Sequence, residues 1–484
     1  MGDIWSVGAC PNGSYLFGTA VTYRLAKGDF TGAMTMSELI TQLLGRRWRC
    51  DDCGQEHFVP TRWVMVADDA FGELPRFLPD DAHWLVVADE ITWEVAGRKV
   101  AQGLRASGRS VRDLVLPTPL SATDAMANFL SERWTTETQK TIAVGSGTLN
   151  DLVKWVATQK GVPYIAVPTA ASVNGYTSPI AALTVQGIKR TMPCHPPEGV
   201  MTEPSVVASA PLTMTAAGYA DLMSKLVADL DWQMAHWLWG EPYCPLPRRL
   251  VAFVDDWDLL YLRRIASGDQ NAIVHLLMAL ILSGIGMTIA GSSAPSSGGE
   301  HLLSHWWDMQ IERQQRPPAL HGLQVGIGTL VALALYDLLL ATEPSEWHPS
   351  PDEGRPPSER MGEFRERYGE KAEAVMAEFA AKWLPTERAE AVRRKMAADW
   401  DAWRERLRNQ LPSVAEHRRR LETIGAATSP QQIGISMGEL KAAILHAREI
   451  RRRWTILDTA FLVGILPDRL DEVLQRCGFQ ETPS

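Results

Sequence analysis

The sequence predicts an α/β amino-terminal half built on a doubly wound parallel sheet, an all-α carboxyl-terminal half, and a long helical extension beyond it. Three observations carry this. The first half alternates short apolar runs with amphipathic helical stretches, which is the signature of strand–helix–strand units. Strand-like runs stop after about residue 210, and Ala-, Leu-, Met- and Trp-rich helical patterns take over. A Pro-rich stretch, EPSEWHPSPDEGRPPSER (343–360), then precedes two further amphipathic patterns.

Each element has its own signal. TRWVMVADD (61–69), HWLVVADE (83–90), KTIAVGSG (140–147) and PYIAVPTA (163–170) are continuous apolar runs that end in Gly, Asp or Pro, as buried parallel strands do. Helix-like stretches lie between them at Glu94–Ser107, Ala122–Trp134 and Leu149–Gln159. Ala272–Gly291 is almost wholly apolar. No basic cluster flanks it closely and it carries His275, so it is expected as a buried core helix rather than a membrane span. After the Pro-rich loop, Phe364, Tyr368, Ala372, Val375, Phe379 and Trp383 recur at spacings of three and four, and Val392, Met396, Trp400, Trp403, Leu407 and Leu411 repeat the pattern. The expectation is two helices covering the helical domain, with a partner-binding pair as the alternative. The resulting partition is an amino-terminal extension over 1–60, a cofactor-binding domain over 61–210, and a helical domain over 211–484.

Composition bounds the function. The chain has 484 residues, a hydrophobic fraction of 45% and a charged fraction of 22%, long enough to bury a core without disulfide staples. The net charge of −9 gives no support to nucleic-acid binding. Six scattered Cys do not make a secreted framework, and MGDIWSVGACPNG lacks the pattern of a signal peptide, so a reducing cytoplasmic setting with no integral membrane segment is expected.

The chemistry-bearing residues fall in two groups. AVGSGTLNDLVKWVA (143–157) reads as a strand, a Gly-x-Gly turn and a helix, with backbone N–H groups at the helix start that suit a pyrophosphate. It lacks a third glycine, so ordinary strand–helix packing is an open alternative. In VPTAASVNGYTSPIA (167–181), Thr169, Ser172, Thr177 and Ser178 can donate to a cofactor or simply satisfy turn backbone. Asp89, at a strand end, can accept from a ribose 2′-OH. In the helical half, Asp221 in ADLMSK, His301 and His305 at i, i+4 in GGEHLLSHW, and His321 in LHGLQVG offer nitrogen and oxygen donors for a divalent metal. Hydrogen-bonded core histidines are the alternative.

Taken together, the ordered set GSGTLND, PTAASVNGYTS, ADLMSK, GGEHLLSHW and LHGLQVG resembles the glycerol-1-phosphate dehydrogenase family, within the superfamily of iron-containing alcohol dehydrogenases and dehydroquinate synthase-like enzymes. The likeness runs from about Trp63 to Leu340 and is strongest to the bacterial members, extending to GEPYCP (240–245). It implies a Rossmann-like domain, a helical dehydroquinate synthase-like domain and a cleft between them. It also implies NAD or NADP on Gly145, Gly147, Thr148, Leu149, Asn150, Asp151, Thr169, Ser172 and Ser178. One Zn²⁺ or Ni²⁺ would be held by Asp221, His301 and His321, and substrate would touch Asn174, Asp221 and His305. Lys189 and Arg190 are candidates for the substrate phosphate, with a solvated turn as the alternative. The implied reaction is reversible reduction of dihydroxyacetone phosphate to sn-glycerol 1-phosphate, feeding phospholipid metabolism, in a homo-oligomer.

Three features depart from the family pattern. Position 174 is Asn where the family usually has Asp, which keeps the shape but removes a charge. Cys50, Cys53 and His57 in RRWRCDDCGQEHF (46–58) form half of a zinc site, for which Cys10 is a candidate fourth ligand; free thiols in a hairpin are the alternative. The Pro-rich insert and its helices lengthen the chain. Competing readings are a dehydroquinate synthase-like lyase, a polyol dehydrogenase with another substrate, and a catalytically silent protein on the same scaffold.

Overall fold

The computed structural model describes residues 22–25, 32–78 and 82–479. Its central sheet has six parallel strands: β1 (Trp63–Val66), β2 (His83–Asp89), β3 (Ser110–Leu116), β4 (Lys140–Gly145), β5 (Tyr164–Pro168) and β6 (Gly199–Thr202). Their order is β1-β6-β5-β4-β2-β3. The four strands expected from apolar runs are β1, β2, β4 and β5. The other two gave weaker signals: β3 lies on an edge and carries the adjacent charges Arg112 and Asp113, and β6 is the short run GVMT.

The order places a topological switch between β2 and β4. The chain leaves β2 for β3 on one side and returns to β4 on the other, with Ala88 paired to Val144. Ligands of open α/β sheets bind beyond the carboxyl ends of the strands at such a point. The helix Gly147–Lys160 starts there, directly after β4, and ends on Gly161 in the left-handed conformation (φ 65°). The expected helix at Glu94–Ser107 is a broken run, Glu90–Thr92, a π-type turn over Trp93–Gly97, and Arg98–Ala106. That expected at Ala122–Trp134 is Asp124–Arg133, capped by the Thr123 side chain.

The chain forms two compact units, and they do not follow the linear partition. The first runs to Leu222 and also includes Cys244–Ser293; the second is Met223–Tyr243 with Ala294–Ser484. The apolar helix Gln270–Ala290 therefore belongs with the sheet, not with the helical half. The reason is local. Thr177 Oγ1 donates to the Ile281 carbonyl at 2.7 Å, and Thr288 Oγ1 donates to the Thr177 carbonyl at 2.9 Å. Gly284 lets this helix come close, since a Cβ there would lie 2.3 Å from Thr177 Oγ1. This helix and His321–Ala341 are long and apolar enough to cross a membrane, and 83% of each such stretch is buried in protein.

The second unit is helical. Lys225–Trp239, Gly299–Arg313 and His321–Ala341 form its centre. Each of the two amphipathic patterns beyond the Pro-rich loop is two helices rather than one: Met361–Tyr368 and Ala372–Ala380, then Thr386–Ala398 and Trp400–Arg408. Gly369 (φ 58°) breaks the first, while the apolar phase continues across the break, so Phe364, Tyr368, Ala372, Val375 and Phe379 are all buried. Stacking of Trp237 on Trp403, with centroids 4.6 Å apart, ties the extension to this unit, as does the Lys382–Asp458 ion pair at 2.8 Å.

Candidate active site

In the first unit, the carboxyl end of β4 supplies the Gly-x-Gly turn. The N–H of Thr169, just past β5, donates to the Gly145 carbonyl at 3.3 Å, which holds the two loops side by side. Both glycines also have neighbours within the protein. A Cβ on Gly145 would lie 2.9 Å from Leu149, and one on Gly147 would lie 2.8 Å from Val173 Cγ2. Ser146 is the N-cap and makes no side-chain capping bond, so the helix start has no side-chain cap from that residue. Leu149 and Asn150 are buried in this helix. Asp89, at the end of β2, is occupied as an N-cap and accepts from the N–H groups of Ile91 and Thr92 at 3.0 and 2.7 Å.

Asp151 and Ser178 are held by a residue that the motif reading passed over. Lys154 is wholly buried, and its ammonium donates to the Gly175 carbonyl at 2.6 Å, the Ile180 carbonyl at 2.8 Å, Ser178 Oγ at 3.1 Å and Asp151 at 3.4 Å. Asp151 accepts a further bond from the Ala182 N–H at 2.9 Å. Burial of a charge is tolerated only with such a partner set, so Lys154 locks the loop 175–180 to the helix. The available signal was a lysine on the otherwise apolar face of LNDLVKWVA. Thr169 and Ser172 are buried in the same loop region.

Asn174 and Asp221 meet in this unit. The Asn174 N–H donates to Asp221 Oδ2 at 3.1 Å, and the Asn174 amide lies 3.4 Å from Ser283 Oγ. Asp221 is fully buried. Its helix approaches the loop because Gly218 sits against the Ala171 carbonyl, where a Cβ would come within 1.9 Å. Lys189 and Arg190 lie on the second strand of a hairpin, paired with Thr184 and Leu183.

In the second unit, three imidazoles form a triangle. Ring centroids are 5.2 Å apart for His301 and His321, 5.9 Å for His305 and His321, and 6.1 Å for His301 and His305. Two of the rings have a defined tautomer. His301 Nδ1 lies 2.8 Å from Glu300 Oε1, a carboxylate that can only accept, so Nδ1 is the donor. Ser304 Oγ donates to Gln324 Oε1 at 2.7 Å, which leaves its lone pair to accept from His321 Nδ1 at 3.1 Å. With Nδ1–H donating, Nε2 carries the lone pair in both rings. This is the outer arrangement that orients metal-ligating histidines. One nitrogen from each ring lies within 4.8 Å of the other. The donor chemistry therefore fits a divalent cation.

A family profile described as iron-containing alcohol dehydrogenase matches residues 65–211. The chain is 30% identical over 428 residues to the glycerol-1-phosphate dehydrogenase [NAD(P)+] of Geobacillus thermodenitrificans, covering 84% of this chain and 93% of that one. The chain belongs to the glycerol-1-phosphate dehydrogenase family. The corresponding protein of Bacillus velezensis is 35% identical over 286 residues, 58% of this chain and 73% of that one. Among solved structures, the fold is similar to that of a glycerol dehydrogenase from Schizosaccharomyces pombe, with a TM-score of 0.55, 16% identity, and coverage of 86% of this chain and 92% of that one. The family's two-part fold, a parallel sheet followed by helices, is the one described above.

Proposed function

We propose that this protein is a metal-dependent glycerol-1-phosphate dehydrogenase that uses NAD(H) or NADP(H) to interconvert dihydroxyacetone phosphate and sn-glycerol 1-phosphate. The observation that carries the reading is the match to relatives of that name along nearly their whole length. It is supported within each unit by the turn Gly145–Gly147 at the sheet's switch point and by the oriented histidines 301 and 321.

The N–H groups at the start of the helix Gly147–Lys160 bind the pyrophosphate, with Thr148, Thr169 and Ser172 beside it. Lys154 acts at one remove, by fixing Asp151, Ser178 and the loop that ends the cofactor site. Asp221, His301 and His321 hold one divalent cation, Zn²⁺ or Ni²⁺. When bound, the cation supplies Lewis acidity toward a carbonyl oxygen and the nicotinamide supplies the hydride. His305, one turn beyond His301, contacts the substrate and gives up the proton that a carbonyl oxygen takes on reduction. Asn174 orients a substrate hydroxyl, and Lys189 with Arg190 meets the phosphate. The setting is cytoplasmic, and the assembled form is a homo-oligomer.

The test is NADH or NADPH oxidation by the metal-loaded protein with dihydroxyacetone phosphate and, separately, with unphosphorylated dihydroxyacetone. The reading expects a clear preference for the phosphorylated ketone. Equal or better turnover of dihydroxyacetone would favour a polyol dehydrogenase, and no oxidation with either would sink the assignment.

A further inference from the structure

The amino-terminal hairpin carries a second cluster of ligating side chains that the reaction does not use. Strands Arg47–Arg49 and Glu56–Phe58 pair antiparallel, with Trp48 opposite His57. Cys50 follows the first strand, and the turn through Gly54 (φ 71°) closes with Gly54 N–H to the Cys50 carbonyl at 2.8 Å. This brings Cys50, Cys53 and His57 to one side of the hairpin. The fourth member comes from GEPYCP, far away in sequence: Cys244 Sγ lies 3.8 Å from Cys50 Sγ and 3.5 Å from His57 Nε2. Cys53 Sγ lies 3.3 Å from His57 Nε2, and all four ligand atoms fall within 4.8 Å of one another. Cys10, the candidate at the sequence level, lies outside the described residues.

These distances match one object. A tetrahedral zinc with three sulfurs and one nitrogen has edges of about 3.8 Å between sulfurs and about 3.6 Å between sulfur and nitrogen. A disulfide requires sulfurs about 2.05 Å apart, which the Cys50–Cys244 separation does not approach. Backbone N–H groups of Asp52 and Cys53 are directed at the Cys50 sulfur, and that of Leu246 at the Cys244 sulfur. The clip is reinforced next door, where Arg249 bonds both carboxylate oxygens of Asp52 at 2.6 Å.

We propose that Cys50, Cys53, His57 and Cys244 bind a structural zinc ion, distinct from the cation assigned to the reaction. Four protein ligands leave no open position, so the site is structural rather than catalytic. It fastens the hairpin to a segment 194 residues further along within the same unit. Cys50 and Cys244 are almost completely buried and His57 nearly so.

The experiment uses the full chain produced with Co²⁺ in place of Zn²⁺. Thiolate-bound Co²⁺ gives a near-ultraviolet charge-transfer band that a site of nitrogen and oxygen ligands cannot give. The proposal expects this band in the wild type and in His301→Ala, and its loss in Cys244→Ser together with about one metal equivalent per chain. If Cys244→Ser does not accumulate as folded protein, the wild-type spectrum decides alone, with mercurial titration of the thiols expected to release one zinc. Absence of the thiolate band in Co²⁺-loaded wild type would overturn the proposal. So would a disulfide among these cysteines in peptides mapped without reductant.

Discussion

At the scale of single residues, the two histidines of GGEHLLSHW have separable fates. His301 has its Nδ1 fixed by Glu300, which leaves Nε2 for a metal. His305 lies on the same helix, its ring centroid 6.1 Å from that of His301. His301→Ala is expected to lose the reaction's metal, measured by metal analysis, and activity with it. His305→Ala is expected to keep the metal and lose about 10²–10⁴-fold in kcat, the range for a missing acid–base group. Metal loss in His305→Ala would make it a ligand instead. Gly147 needs a more careful test, because a Cβ there meets Val173 at 2.8 Å before any cofactor is considered. Gly147→Ala should raise the KM for the nicotinamide cofactor, and the rise should persist in Gly147→Ala/Val173→Ala, where the packing conflict is relieved. Recovery in the double variant would mean that the glycine serves Val173 and not the pyrophosphate.

At the scale of elements, the helix Val414–Ile424 carries a buried histidine with a definite pH signature. His417 is fully buried, and neither ring nitrogen has a hydrogen-bond partner among the described residues. Burial, helped by the nearby Arg420 charge, lowers its pKa from 6.5 to about 4. The unfolded chain therefore binds a proton that the folded chain refuses between those values. The stability from this site is complete above pH 6.5 and is lost as pH falls toward 4, about 3 kcal/mol in all. Denaturant melts of wild type and His417→Leu over pH 4–7 should show a smaller pH slope in the variant. Parallel slopes would contradict it. Elements also show what the sequence made legible. The strands β1, β2, β4 and β5 were plain because parallel strands buried on both faces read as unbroken apolar runs. Strand β3 hid because its edge position admits Arg112 and Asp113. The helix breaks at Gly369 and Asp399 hid because the apolar phase carries across them.

At the scale of the whole molecule, packing crosses chain order. A break in composition near residue 210 suggested two consecutive domains, but Cys244–Ser293 packs with the sheet through contacts such as Thr177 to Ile281 that no local pattern announces. The same limit applies to the sites. The motifs GSGTLND and GGEHLLSHW were visible as strings, whereas Lys154 as a loop anchor and Cys244 as a partner of Cys50 depend on residues brought together by the fold. A glycerol-1-phosphate dehydrogenase reduces dihydroxyacetone phosphate to one enantiomer of glycerol phosphate. The most direct measurement is the configuration of the product formed by the metal-loaded protein with NADH or NADPH, read with enzymes specific for each enantiomer. The expected product is sn-glycerol 1-phosphate alone. Accumulation of sn-glycerol 3-phosphate, or of no glycerol phosphate while the cofactor is oxidised, would contradict it.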